Sequence, residues 1–436
     1  MKRLSGRLGV PKLIAVTGAG VLLAAGLGVA GASAADQSAG GTRATSVAML
    51  PCALKYAPGS LYVGSDDAVY KVSQQTGDAT GIVPQLPRFS AFNAACGVAV
   101  DGAGNLLVAD GPQVVAVAAK TGSFYGRKMV KGRAYLIATG FEGAGAVDVQ
   151  LDPAGNVVIA VGGAQASHTN NEQDSQIIVL AERTGTFYGK RMVKGKLYVV
   201  AGVLNGGPSA SPCDGPDAAA ANAAAPAAAA KATQATKANL GYTIGTIRFD
   251  AEGNIILADS GGDGGSPCGA DAYDVPPVVA VIPARTGSYY GQKMTVGDIY
   301  PIAGLGKKTA NGVPAVDSDL ATVSAVALDH AGNVLIATGS EGYIPGSDQY
   351  SSATIRVIAA KTGTFYGQKM IKGDLYALPG LGGTSAVAVD SAGNVLAGNI
   401  TYSLVHLLAE KTGAYYGVKA RAGHIYTIAG NGKEPA

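Results

Sequence analysis

Val98-Ala-Val-Asp101-Gly-Ala-Gly-Asn105-Leu-Leu-Val-Ala-Asp110 decides the fold, because the same phrase returns as Val326-Ala-Leu-Asp329-His-Ala-Gly-Asn333-Val-Leu-Ile-Ala-Thr338. Two short apolar runs around a Gly-containing turn describe a hairpin. The turn Asp-x-x-Gly-Asn occurs five times, at Asp101–Asn105, Asp152–Asn156, Asp250–Asn254, Asp329–Asn333 and Asp390–Asn394. Some fifteen to thirty residues beyond each turn comes Thr-Gly-x-Phe/Tyr-Tyr-Gly, at Thr121–Gly126, Thr184–Gly189, Thr286–Gly291, Thr362–Gly367 and Thr412–Gly417. An apolar strand precedes each of these, and Tyr135, Tyr198, Tyr300, Tyr376 or Tyr426 opens the strand after it. Each unit thus holds four antiparallel strands, here termed a to d.

A four-stranded unit cannot bury both of its faces alone, so repeated copies must stack on one another. Radial stacking of such sheets is a β-propeller. A sixth, degenerate copy lies at the start, with Tyr56-Ala-Pro-Gly59-Ser60 in place of the carboxylate turn and Thr76-Gly77 in place of the later one. The expectation is an all-β, six-bladed β-propeller of four-stranded antiparallel blades over residues 52–430. Its ring is closed without strand exchange, by side chains between blades six and one. A segment over 35–51 reads as a linker and 431–436 as a tail.

The phrases VAVDGAGNLLVAD and VALDHAGNVLIATG resemble the NHL repeat, including the variant whose blades end in a phrase such as Thr427-Ile-Ala-Gly-Asn-Gly432. The resemblance covers roughly residues 52–430. It implies about six blades and little about activity, since similar propellers include protein- and RNA-binding modules, lyases, lactonases and an amidating lyase. The aromatic flap between strands c and d departs from the usual NHL phrase.

The first 34 residues read as a secretory signal peptide: Lys2, Arg3, Arg7 and Lys12 without an acid, an apolar stretch over Leu13–Ala30, then Ala32-Ser33-Ala34. Cleavage near Ala34 makes the protein secreted, with no stable membrane insertion afterwards. Loss of those four cations leaves 29 Lys plus Arg against 30 acids. A near-neutral mature chain argues against nucleic acid as partner, since phosphate-backbone binding needs clustered cations. Four Cys in an exported chain suggest two disulfides, Cys52 with Cys96 and Cys213 with Cys268. No Cys-x-x-Cys supports the rival reading, metal ligation.

Propeller geometry puts the a–b turns and c–d flaps on one face and the b–c and d–a connections on the other. On the second face blades three to five carry long loops, Val161–Gln176, Asp259–Pro277 and Thr338–Ala353, and binding usually resides on such loops. Ligand candidates there are His168, Asp174, Asp259, Asp263, Asp271, Tyr273, Asp274, Tyr343, Asp348 and Tyr350. Asp259 and Asp263 are candidates for calcium, which accepts oxygen ligands in flexible geometry, although an ordinary loop is favoured because the EF-hand spacing is missing. No other cofactor is implied. The insertion 203–239, rich in Ala, Pro and Gly, reads as a broken helix, lid or linker.

Repetition itself argues against function. A carboxylate present in every blade is expected to close its turn by bonding nearby amides, and the flap aromatics are expected to turn inward and pack between blades. His168, His330, His406 and His424 each occur in one blade and have no nucleophile or orienting acid beside them, so they read as structural or solvated. The favoured function is a monomeric, non-catalytic binding or scaffold module for a protein, peptide or glycan. A propeller-type lyase or lactonase with its site at the axial mouth, or a structural envelope protein, is the alternative.

Overall fold

The computed structural model describes residues 42–65, 68–82, 96–141, 145–162, 175–202, 232–238, 240, 244–261, 276–338, 354–378 and 380–433. The leader, Cys213, Cys268 and every ligand candidate except Asp259 lie outside the described residues. Among those described, no helix is long and apolar enough to cross a membrane.

Six antiparallel sheets form a six-bladed propeller, and strands a to d of each sheet are consecutive in sequence. The inner strands a are Ala53–Ala57, Gly97–Val100, Gly145–Leu151, Ile244–Phe249, Ala325–Leu328 and Ala386–Val389. The ring therefore closes without strand exchange. Six apolar clusters, one at each junction between neighbouring blades, make up the core.

The recurring polar residues hold each blade together. In blade two, Asp101 Oδ1 accepts the amides of Ala103 and Asn105 at 2.8 and 2.7 Å, which fixes the turn, while Oδ2 accepts Asn105 Nδ2 at 2.7 Å. Asn105 Oδ1 then accepts the amide of Ala119, beyond strand c, at 2.9 Å. The same Asn contact is made by Asn156, Asn254, Asn333 and Asn394. Each of these Asn side chains is fully buried, so the bond it makes replaces lost water.

The flap is itself a hairpin. Phe124 pairs with Arg127 across Tyr125-Gly126, whose φ values of 52° and 70° describe the two left-handed central residues of a type I′ turn. A left-handed tyrosine is uncommon and needs support. That support comes from the repeat turn: the Tyr125, Tyr188, Tyr290 and Tyr366 hydroxyls donate to Asp101, Asp152, Asp250 and Asp329 at 2.7 to 3.3 Å. Burial, reinforced by the carboxylate, pushes these phenols well above their ordinary pKa.

Flap residues pack into the junction with the following blade, as expected for inward aromatics. Tyr188 and Met192 of blade three lie in one cluster with Ile247 and Leu257 of blade four. The Gly of Thr-Gly also has a cause: the Tyr289 ring covers Gly287 so closely that a Cβ there would lie 2.6 Å from its hydroxyl. Blade six departs from the pattern. The Tyr416 hydroxyl is buried beside Asp390 without a well-formed partner, and Asp390 Oδ2 instead accepts Gln74 Nε2 of blade one at 3.2 Å.

This difference sets a measurable contrast. Tyr290→Phe removes a satisfied buried bond and is expected to cost about 1–2 kcal/mol in urea unfolding. Tyr416→Phe is expected to change stability by less than about 0.5 kcal/mol, because the hydroxyl it deletes lies beside Asp390 without a well-formed hydrogen bond.

Two expectations change at the blade edges. Three short straps add a fifth strand outside strand d: Thr42–Arg43 on blade one, Thr233–Gln234 on blade four and Val313–Pro314 on blade five. Each continues into a single 3-10 turn, Ala44–Ser46, Ala235–Lys237 or Ala315–Asp317. The first Ala of that turn donates to a glycine carbonyl of its own blade (Gly77, Gly297 or Gly373) and accepts from Gly430, Gly202 or Gly304 at the end of the preceding blade. Part of the segment read as a linker, and the end of the insertion, thus belong to the blades.

Ring closure is the second change. It rests on main-chain hydrogen bonds as well as side chains, since Gly430 N donates to Ala44 O at 3.0 Å and Tyr416 N to Gln74 O at 2.6 Å.

Between blades one and two there is no flap, because the c–d turn of blade one is only Gln74-Gln75-Thr76-Gly77. The apolar cluster there contains no Met and no flap Tyr. At this junction the Cys52–Cys96 disulfide forms as the sequence suggested.

Candidate functional site

Where the repeat breaks, the hub becomes polar. Aligned on the turn carboxylate, strand a reads Gly97-Val-Ala-Val, Ala325-Val-Ala-Leu and Ala386-Val-Ala-Val in blades two, five and six. In blades three and four it reads Asp148-Val-Gln150-Leu and Thr246-Ile-Arg248-Phe, and blade one supplies Ala53-Leu-Lys55-Tyr. Inner strands of a propeller converge on the axis, so these five polar side chains meet at its centre. Lys55, Gln150 and Arg248 stand nearest the flap face.

Asp148 is the keystone. Its Oδ2 accepts Arg248 Nη1 at 2.9 Å and the Ile247 amide at 2.8 Å. Its Oδ1 accepts the Val149 amide at 2.9 Å and Gln150 Nε2 at 3.1 Å. Four donors and no acceptor around it define an ionised carboxylate. Burial pushes its pKa up, and Arg248, the Ile247 amide, Gln150 and Lys55 pull it back. Strand a of blade three is irregular between Ala146 and Asp148, and that of blade four between Ile244 and Ile247. Such bulges re-aim side chains, and here they flank the polar residues.

The remaining bonds cross the axis. Arg248 Nη2 reaches the Leu54 carbonyl of blade one, opposite in a six-fold ring, at 3.4 Å. Lys55 Nζ donates to Gln150 Oε1 at 2.7 Å, and Gln150 Nε2 to the Val98 carbonyl of blade two at 3.3 Å. Thr246 Oγ1 accepts the Val326 amide of blade five at 2.8 Å. Burial lowers the Lys55 ammonium to about 8, with Arg248 adding to the effect and Asp148 opposing it.

The sequence reading did not single out these residues. The available signal was the replacement of alanine by Gln or Arg two residues before the turn carboxylate. Of the candidates it did name, Asp259 is described: it is buried at the end of strand b of blade four and its Oδ1 accepts the Gly261 amide at 3.0 Å. Among the described residues no three His, Cys, Asp or Glu side chains group as metal ligands. His406 lies beside Thr427 and burial lowers its pKa, His424 is close to the Ala422 carbonyl, and His330 is exposed on its turn.

A second feature is a groove of about 670 Å³ on the flap face between blades four and five. Its floor is apolar, from Phe249, Ile302, Leu328, Val334 and Ile358, with Tyr289 and Tyr290 beside it. Its rim carries Glu252, Ser288, His330 and Lys372.

Comparison with solved structures finds matches at low similarity. A Bacteroides thetaiotaomicron protein described as of unknown function is 11% identical, with a TM-score of 0.46 over 84% of this chain and 71% of that one. The calcium-binding protein regucalcin from Agrobacterium tumefaciens is 11% identical, with a TM-score of 0.44 over 85% and 86%. A luciferin-regenerating enzyme is 10% identical, with a TM-score of 0.43 over 83% and 85%. At that distance none of them bears on what this chain binds or does. No protein-family model matches the chain, and no curated protein does.

Proposed function

We propose that this chain is an exported, NHL-like propeller that works by binding, and that the groove between blades four and five takes an extended peptide segment of a protein partner. The groove carries the reading. Its volume falls within the range of about 300–1,000 Å³ usual for ligand sites. An apolar floor suits a buried aliphatic or aromatic side chain, while Glu252, His330 and Lys372 on the rim suit a polar main chain with charged neighbours of either sign. Glycans, which lay flat hydroxylated faces on exposed aromatic platforms, fit a floor made mainly of Ile302, Leu328, Val334 and Ile358 less well.

A propeller-type lyase or lactonase would need a base or a metal ligand on the axis. The one carboxylate of the inner strands, Asp148, already has four hydrogen-bond donors on its two oxygens. That observation leaves the hub carboxylate no free oxygen to act as a base or a metal ligand.

The test uses residues 35–436 against parallel peptide and glycan arrays, with Ala331→Trp to fill the groove from its rim. The expected result is binding of peptides with an apolar anchor, weakened at least about ten-fold by Ala331→Trp with the melting temperature unchanged. Glycan binding alone, or peptide binding indifferent to Ala331→Trp, refutes the peptide groove.

A further inference from the structure

The hub contains one more cation than its scaffolding needs. Asp148, Gln150, Thr246 and Arg248 each bond a main-chain group on an inner strand, so each helps to satisfy the bare edges that six converging strands leave at the axis. Lys55 does not. It donates instead to another side chain, at Gln150 Oε1. The ionisable residues of the six inner strands are Lys55, Tyr56, Asp148 and Arg248, and the Tyr56 hydroxyl turns away to Gln74 and Ser391. Two cations therefore share one carboxylate, whose oxygens are already filled by Arg248 and three neutral donors, leaving none for Lys55.

We propose that the hub binds a small oxyanion, a carboxylate or a phosphate, between Lys55 and Arg248. An ammonium offers three donors and a guanidinium five, so both cations have N–H groups to give beyond the bonds described. Lys55 keeps partial contact with solvent and lies three residues before the exposed Pro58-Gly59 turn on the flap face. Water is largely excluded there, so a charge-assisted bond to the ion is stronger than it would be at the surface. The lowered pKa of Lys55 agrees with the geometry: the unliganded ammonium is repelled by Arg248 and desolvated without a full counter-charge. A bound anion supplies that charge, and binding takes up a proton wherever Lys55 is neutral.

The experiment titrates residues 35–436 with sodium acetate and, separately, sodium phosphate at fixed ionic strength in a chloride background. It follows the melting temperature and the Lys55 side-chain carbon resonance of lysine-labelled protein. The expected result is a saturable stabilisation by one of the two anions, an upward shift of the Lys55 titration midpoint by about one pH unit at saturation, and binding about ten-fold weaker at pH 10 than at pH 7. Lys55→Gln abolishes the saturable effect, and Lys55→Arg retains it. Preference for acetate identifies a carboxylate ligand, and preference for phosphate a phosphate. If neither anion moves the Lys55 titration in the wild-type protein, or if Lys55→Gln binds as well as wild type, the site does not exist. The wild-type resonance decides the matter even if a variant fails to fold.

Discussion

Asp148→Ala is expected to destabilise the propeller by about 3–5 kcal/mol, a larger loss than any other single polar substitution considered above. The side chain is 2% exposed and Arg248 12%, so the substitution leaves a guanidinium buried with no counter-charge and a second cation, Lys55, close by. It also strips the Ile247 amide of its acceptor at a bulge where the strand-a edge has no neighbouring strand to replace it. Asp148→Asn keeps an acceptor oxygen and should lose less. The double variant Asp148→Val/Arg248→Met removes both charges and is expected to be more stable than Asp148→Ala alone, since an apolar pair avoids the cost of an uncompensated buried ion. Urea unfolding of the three variants checks the order, and a double variant weaker than the single one would show that the main-chain bonds outweigh the charges.

Removal of the Cys52–Cys96 bridge should be the next largest effect. The bridge spans 44 residues, for which the chain-entropy relation gives about 4 kcal/mol of stabilisation. Its position raises the stake, because it crosses the blade-one to blade-two junction, where no flap lends a buried Met or Tyr to the apolar cluster. The clean comparison is Cys52→Ala/Cys96→Ala, which acts on this bridge alone. A fall in the urea midpoint with an unchanged m-value is the expected signature. An unchanged midpoint would show that blade packing alone holds this junction.

Legibility followed the range of the interactions. The Asp-x-x-Gly-Asn turn could be read because its carboxylate bonds amides two and four residues on, and the Tyr-Gly flap because a two-residue turn with both φ positive has few sequence solutions. The cysteine pairing was legible from the adjacency of successive inner strands. The straps were not: two residues of strand and one 3-10 turn around Ala44, Ala235 or Ala315 leave no periodic trace, and the strand d that each pairs with lies far along the chain. The hub failed for a different reason. Reading by consensus looks at what the blades share, and Gln150, Arg248 and Lys55 are what three of them do not share. The repeat's polar residues are spent on architecture, so distinctiveness resides in its exceptions.

The bond from Gly430 to Ala44 has a consequence for biosynthesis. Strands a to d of every blade are consecutive, so each sheet can form as it leaves the ribosome, from contacts made within a few dozen residues. The strap at Thr42–Ser46 is among the first of the described segments to be synthesised, while its seat on blade six is among the last. Until that seat emerges the nascent protein is an open arc with two unsealed ends, and those ends are where a chaperone would have to stand guard.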